Sequence, residues 1–212
     1  MGPTFPDSRL RETRVLWQAR TDRRLVALTF DDGPQPDYTE GVIEVLRRYR
    51  VRATFNLVGR RIVAHPDLVG RELADRHELG NHTWRHANLP LESPARVREE
   101  LQRTHDLIER LTGRPPRTLR PPYGNLSGDA LKAAAELGYD VVGWSVKFHE
   151  DLFDAAGNAA YVAAHLAPGS VILAHDTGNR SRLQDLLALP ALIEAARRQD
   201  YEFVTVSELL SA

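Results

Sequence analysis

At 212 residues, with 42% hydrophobic and 27% charged side chains, the chain can bury one sizeable core and has the composition of an ordinary globular domain. A net charge of −1 speaks against nucleic acid or an anionic membrane surface as the main partner. The absence of cysteine excludes disulfides and thiolate metal sites, so any metal must be held by His, Asp or Glu.

Residues 1–22 read as a polar lead-in, with no signal peptide visible, and residues 23–212 as one domain. No apolar stretch approaches the length of a membrane span, so no integral membrane contact is expected. Leu25 to Phe30 is a buried strand that stops at Asp31-Asp32-Gly33-Pro34. A helix with Val42, Ile43, Val45 and Leu46 on its apolar face follows, then a strand from Ala53 to Val58. Asp67 to Arg76 reads as a helix and Glu78 to Gly80 as a short strand. Ser93-Pro94 starts a helix that runs to about Leu111 and ends in Thr112-Gly113. Thr118 to Arg120 is a strand, Asp129 to Leu137 a helix closed by Gly138, and Asp140 to Val146 one further strand. Asn158 to Leu166 is a helix, Ser170 to Ala174 a strand, Leu183 to Arg198 a long helix, and Glu202 to Val206 the last strand. The alternation of strand and helix predicts an α/β fold with a parallel sheet, closed as a barrel or open and doubly wound. Either form gathers ligand chemistry at the carboxyl ends of the strands.

Several polar residues fall at those ends. Asp31-Asp32 is good turn chemistry, but adjacent residues leaving a strand point in different directions, so one could bind a metal while the other stays free as a base. His82 and His86, four apart, would share one face of a helical turn and could grip one ion. With one strand-end carboxylate they would make a three-ligand site with room for water. His175 ends the apolar run Val171 to Ala174; it could be a rim imidazole or a core-edge one. Arg120, opening Arg-Pro-Pro-Tyr-Gly, is a natural fork for a carboxylate.

Taken together and in this order, these residues resemble the NodB-homology polysaccharide deacetylases, carbohydrate esterase family four. Thr29 to Pro34 is similar to the family's first motif, Asn81 to His86 to its second, Arg120 to Gly124 to its third and Leu173 to His175 to its fifth. The resemblance implies a distorted (β/α)7-type barrel, a single domain, and hydrolysis of N-linked acetyl groups on an N-acetylglucosamine-containing glycan, releasing acetate. It implies one divalent metal, zinc first and cobalt, nickel or manganese as alternatives, held by Asp32, His82 and His86. Asp31 would be the general base, steadied by Arg120; Tyr123 would offer its backbone N–H to the oxyanion; His175 would be the general acid. Pro122, Tyr123, Trp144 and Leu173 would line the substrate site.

The fourth motif departs from the family pattern. Trp144 is present, but Lys147 stands where the family has an aspartate, and Glu150 and Asp151 take the positions of an Asp-Trp pair. Glu150 is therefore assigned as the carboxylate behind His175, with Asp151 the alternative, and Phe148 or Leu152 would replace the missing tryptophan against the acetyl group. The acetylated glycan implies an extracytoplasmic address. An O-acetyl esterase of xylan type is the nearest rival. A non-catalytic carbohydrate-binding domain on the same fold, or a non-haem iron oxygenase sharing the two-histidine, one-carboxylate set, stands further off.

Overall fold

The computed structural model describes residues 13–149, 151–178 and 182–212. Its first long strand, β2 (Leu25–Asp31), is buried at every position, as expected of a strand covered on both faces. β3 (Thr54–Leu57), β4 (Glu78–Asn81), β5 (Thr118–Leu119) and β6 (Asp140–Val142) follow it in parallel on one side, and β8 (Val171–His175) and β7 (Val146–Lys147) on the other. β9 (Glu202–Val204) pairs with the start of β2, below the stretch that β3 occupies.

Helices α1 (Tyr38–Tyr49), α2 (Gly59–Ala64), α3 (Pro66–Ala74), α4 (Pro94–Thr112), α5 (Gly128–Leu137), α6 (Ala155–Ala164), α7 (Leu183–Arg198) and the short α8 (Val206–Leu209) connect the strands. The main core lies between the sheet and this layer; Phe30 and Phe55 stack at 5.1 Å between ring centroids, amid Val42, Leu46, Leu189 and Ile193. The helix signals hold where they were strongest. The Ser93 side chain caps α4, Pro94 follows it, and Gly113 ends the helix in the left-handed conformation (φ 70°). None of the helices in the described residues is long and apolar enough to cross a membrane.

Two readings of the strands are corrected. The lead-in contributes β1 (Val15–Leu16), which pairs with β6 and extends the sheet. The segment from Asp140 to Val146 is two strands, because its bonding partner changes midway. The Gly143 N–H goes to Leu16 O on β1, whereas the Ser145 N–H goes to Val171 O on β8. The chain thus passes from one end of the sheet to the other, and this passage draws the sheet into a distorted barrel. Gly143 is needed at the crossing, since a Cβ there would stand 2.8 Å from the Trp17 ring. Because the strands are parallel, Asp31, Asn81, Arg120 and His175 all emerge on one rim, and Asp31 lies in register with Asn56 on β3 and His175 on β8.

Candidate active site and metal centre

The base of the site is an ion pair buried at the end of β2. Asp31 is nearly inaccessible, and the Arg120 Nη1 donates to both its carboxylate oxygens at 3.0 and 2.9 Å. Asn56 Nδ2 adds a third bond to Oδ1 at 2.6 Å. The other guanidinium donors are also used: Nη2 reaches Thr29 Oγ1 and Gly143 O, and Nε reaches Val142 O. A side chain so fully bonded has one geometry available, and it fixes the carboxylate in turn.

Asp32, next along the chain, turns away at a left-handed φ of 76°. Its Oδ1 is 3.3 Å from His82 Nε2 and 3.0 Å from His86 Nε2, while Oδ2 accepts from Arg182 Nη1 at 2.7 Å. Burial raises the Asp32 carboxyl, but the hydrogen bonds from His82, His86 and Arg182 outweigh it and hold the group well below the usual carboxylate range. The His82 Nδ1 lies 2.6 Å from Arg120 O. A carbonyl only accepts, so Nδ1 carries a proton and Nε2 is the nitrogen that faces Asp32.

His82 and His86 are not on a helical turn. The segment after β4 is a loop in which Thr83 (φ 65°) and His86 (φ 62°) both take left-handed backbone, unusual for any residue but glycine and a true outlier for β-branched threonine. Hydrogen bonds hold this conformation from several sides. Asn81 Oδ1 accepts the Thr83 N–H, Thr83 Oγ1 accepts the Ala87 N–H, and the Gly59 and Arg60 N–H groups at the start of α2 donate to Thr83 O and Trp84 O. The result is a T-shaped pair of imidazoles, 5.0 Å between centroids, with both Nε2 atoms toward Asp32.

Asp32, His82 and His86 form the one cluster of metal-ligand type among the described residues, with donor atoms within 4.8 Å of one another. The spacing tests the fit: two ligands at ~2.1 Å from one ion and at ordinary coordination angles stand ~3.0–3.4 Å apart. The observed 3.0 and 3.3 Å match, and the His₂Asp donor set suits a divalent first-row ion.

The cluster opens into a cleft of about 110 Å³ lined by Asp31, Tyr123, Trp144, Leu173, His175 and Arg182 as well as the three donors. Tyr123, 63% exposed, stands edge-on to His86 at 4.8 Å. Its backbone has a φ of 60°, and the two hydrogen bonds of its turn, Gly124 N–H to Pro121 O and Asn125 N–H to Pro122 O, leave the Tyr123 N–H out. Trp144 faces the Arg120 guanidinium at 5.5 Å.

The structure therefore brings together Asp31, Asp32, His82, His86, Arg120, Tyr123, Trp144, Leu173 and His175. Pro122 is buried beneath the loop and lines no part of the cleft. The fourth-motif assignments fare differently. Glu150 lies outside the described residues. Asp151 is exposed and does not line the cleft; Phe148 turns into the core, and Leu152 is 72% exposed, so neither forms an acetyl wall. Among the described residues, the carboxylate beside His175 is Asp185, fully buried in the first turn of α7, with Oδ2 3.5 Å from His175 Nδ1. Asp185 and Arg182 carry no sequence signal beyond a helix start with a charge on either side. Asn56, by contrast, was findable as an amide in the middle of an apolar strand.

Comparison with known proteins places these features in a family. The profile of the family described as polysaccharide deacetylase matches residues 18–142. A peptidoglycan-N-acetylglucosamine deacetylase of Bacillus cereus is 36% identical over 92% of both chains. The crystal structure of the Bc1960 peptidoglycan N-acetylglucosamine deacetylase, in complex with 4-naphthalen-1-yl-N-oxidanyl-benzamide, superposes with a TM-score of 0.90 at 30% identity, covering 99% of this chain and 98% of that one. A family 4 acetyl xylan esterase from Clostridium thermocellum, solved with a cobalt ion, gives a TM-score of 0.78 at 32% identity over 88% of this chain and 90% of its own.

Proposed function

The chain belongs to the polysaccharide deacetylase family, carbohydrate esterase family four, and from that premise we propose that it is a metal-dependent hydrolase that removes N-acetyl groups from an N-acetylglucosamine-containing poly- or oligosaccharide. The observation that carries the reading is the single cleft in which the Arg120-locked Asp31, the Asp32–His82–His86 cluster and His175 converge.

Asp32, His82 and His86 would hold one divalent ion, zinc in our reading, with cobalt supported by the Clostridium thermocellum relative. Bound there, such an ion supplies Lewis-acid polarisation of the amide carbonyl and lowers the pKa of a coordinated water from 15.7 toward ~7. Asp31 Oδ2, on the cluster side of its carboxylate and 4.0 Å from His82 Nε2, receives the proton as water attacks the acetyl carbon. Arg120 and Asn56 keep that carboxylate aimed, so no reorganisation is needed during the step. The Tyr123 N–H donates to the oxygen of the tetrahedral intermediate, a contact of the kind worth ~3 kcal/mol. His175 gives its proton to the sugar nitrogen as the C–N bond breaks, so acetate and a free amine leave with no covalent enzyme intermediate. Leu173 and Trp144 supply the apolar walls of the cleft.

The Bacillus cereus relative supports a cell-wall glycan as the substrate class and an extracytoplasmic address, whereas the xylan esterase relative keeps O-acetyl hydrolysis as the second reading. Acetate release from N-acetylglucosamine oligomers and from acetylated xylan, with protein stripped of metal and reloaded ion by ion, tests both. We expect release from the N-acetylated oligomers, lost on stripping and restored by zinc or cobalt. Release from xylan alone would favour the esterase, and activity untouched by stripping would remove the metal from the mechanism.

A further inference from the structure

His175 ends β8 and shares the cleft with the metal-type cluster, whereas Lys147, standing where the family has an aspartate, is exposed and lies outside the cleft. The geometry points to Asp185 of α7 as a residue that positions the acid histidine in this chain. Its Oδ2 accepts the His175 backbone N–H at 3.0 Å and stands 3.5 Å from the ring Nδ1, so one carboxylate oxygen fixes the main chain of His175 and lies beside its imidazole.

The surroundings favour a charge there. Asp185 is fully buried but lies in the first turn of a 16-residue helix, where N–H groups without intrahelical partners favour an anion. With Nδ1 toward Asp185, Nε2 is the far nitrogen of the ring, the one that would serve a leaving group in the cleft. A helix carboxylate thus stands beside the strand end that carries the acid histidine. This inference rests on the deacetylase reading, in which His175 protonates the departing amine.

The test compares two leaving groups. A sugar amine must be protonated to depart, whereas 4-nitrophenolate leaves as a stable anion, so a defect in the acid slows the amide and spares the aryl ester. Asp185→Asn keeps an oxygen for the His175 N–H but loses the charge. A general acid contributes ~10²–10⁴-fold, so for its positioning residue we expect kcat on an N-acetylglucosamine oligomer to fall about 10–100-fold. Turnover of 4-nitrophenyl acetate should fall at least tenfold less. Asp185→Glu, which keeps the charge one methylene out of place, should show a smaller drop in the same ratio and serves if the asparagine variant does not fold. Equal losses on both substrates would mean that Asp185 merely supports the fold, and an unchanged amide rate would mean that it does nothing for His175. Either result overturns the inference while wild-type activity leaves the deacetylase reading standing. A wild type that hydrolyses the aryl ester but neither acetylated glycan would overturn that reading and the inference with it.

Discussion

The two sides of the cleft are built differently. On the β2–β5 side, Asp31 and Arg120 sit at the ends of strands two places apart in the motif order, and every hydrogen-bonding atom of the guanidinium is used. On the β8 side, His175 ends a strand and has beside it a carboxylate from a helix ten residues on. The first half is rigid and self-contained. The second depends on how α7 docks, and this is the half in which the chain leaves the family pattern.

The largest effects should fall on the rigid side. Asp31→Asn removes the base but keeps the shape and a partner for Asn56, so turnover of an N-acetylglucosamine oligomer should drop by at least ~10³-fold, within the range set by loss of a positioned base. Metal content after dialysis should be unchanged, because Asp31 is not one of the three clustered donors. A variant with full activity would break the assignment of the base; one that also lost its metal would show that the two aspartates cannot be assigned separate roles.

Arg120→Met should cost folding rather than only rate. It strands Asp31 as a buried carboxylate with Asn56 alone to satisfy it, and breaking such pairs typically costs ~3–5 kcal/mol. Denaturant unfolding measures this directly. A loss below ~1 kcal/mol would mean that water replaces the guanidinium easily, and the contrast between a dry half and a looser half would fail.

That contrast also explains what could be read from the chain. The rim residues were legible because each follows a short apolar strand and because parallel strands must deliver their ends to one side. The strand break at Gly143 was not, since Asp140 to Val146 is apolar enough for one strand and only the competition between Leu16 and Val171 for its N–H groups divides it. The loop carrying His82 and His86 does not show in the sequence, because histidines four apart suit a helical turn equally well and the left-handed residues are held by hydrogen bonds from a separate segment. Asp185 could not be found by spacing at all: its proximity to His175 is a fact of helix docking, and an acid in a helix's first turn is ordinary.

Behind the β8 side lies a buried acid whose titration should be visible. Burial raises the Asp176 carboxyl to about 7, against a hydrogen bond from Thr39 that lowers it. Between about pH 4 and 7 the unfolded chain gives up this proton while the folded chain keeps it, so the contribution is full in acid and is lost as pH rises through the folded value. The slope is at most about 1.4 kcal/mol per pH unit. Asp176→Asn should therefore match the wild type near pH 4 and exceed its stability by a few kcal/mol, on the order of that slope times the window, at pH 8. Comparing variant with wild type at each pH cancels buried groups that do not interact with Asp176, such as His77, which burial lowers to about 4 and whose slope has the opposite sign. A stability difference that did not change with pH would mean that Asp176 is ionised in the fold.

The smallest effect separates the two halves most finely. If α7 supplies the carboxylate for His175, putting the family's aspartate back at position 147 should achieve little. Lys147 is in register with Leu173 on β8, but its side chain is exposed and lines no part of the cleft. An aspartate there is shorter than the lysine it replaces and faces water, where a charge is screened within ~8 Å at physiological salt. Lys147→Asp should therefore change kcat on an N-acetylglucosamine oligomer by less than about threefold, with kcat the proper readout because the substitution lies outside the cleft. A tenfold gain would mean that β7 still reaches the imidazole and that Asp185 shares its task; in an Asp185→Asn background the same gain would mean that the two positions are interchangeable sources of one charge. A null result in both backgrounds rules out position 147 as a source and, with a drop in the Asp185→Asn variant itself, ties the acid half of the cleft to the seating of a helix.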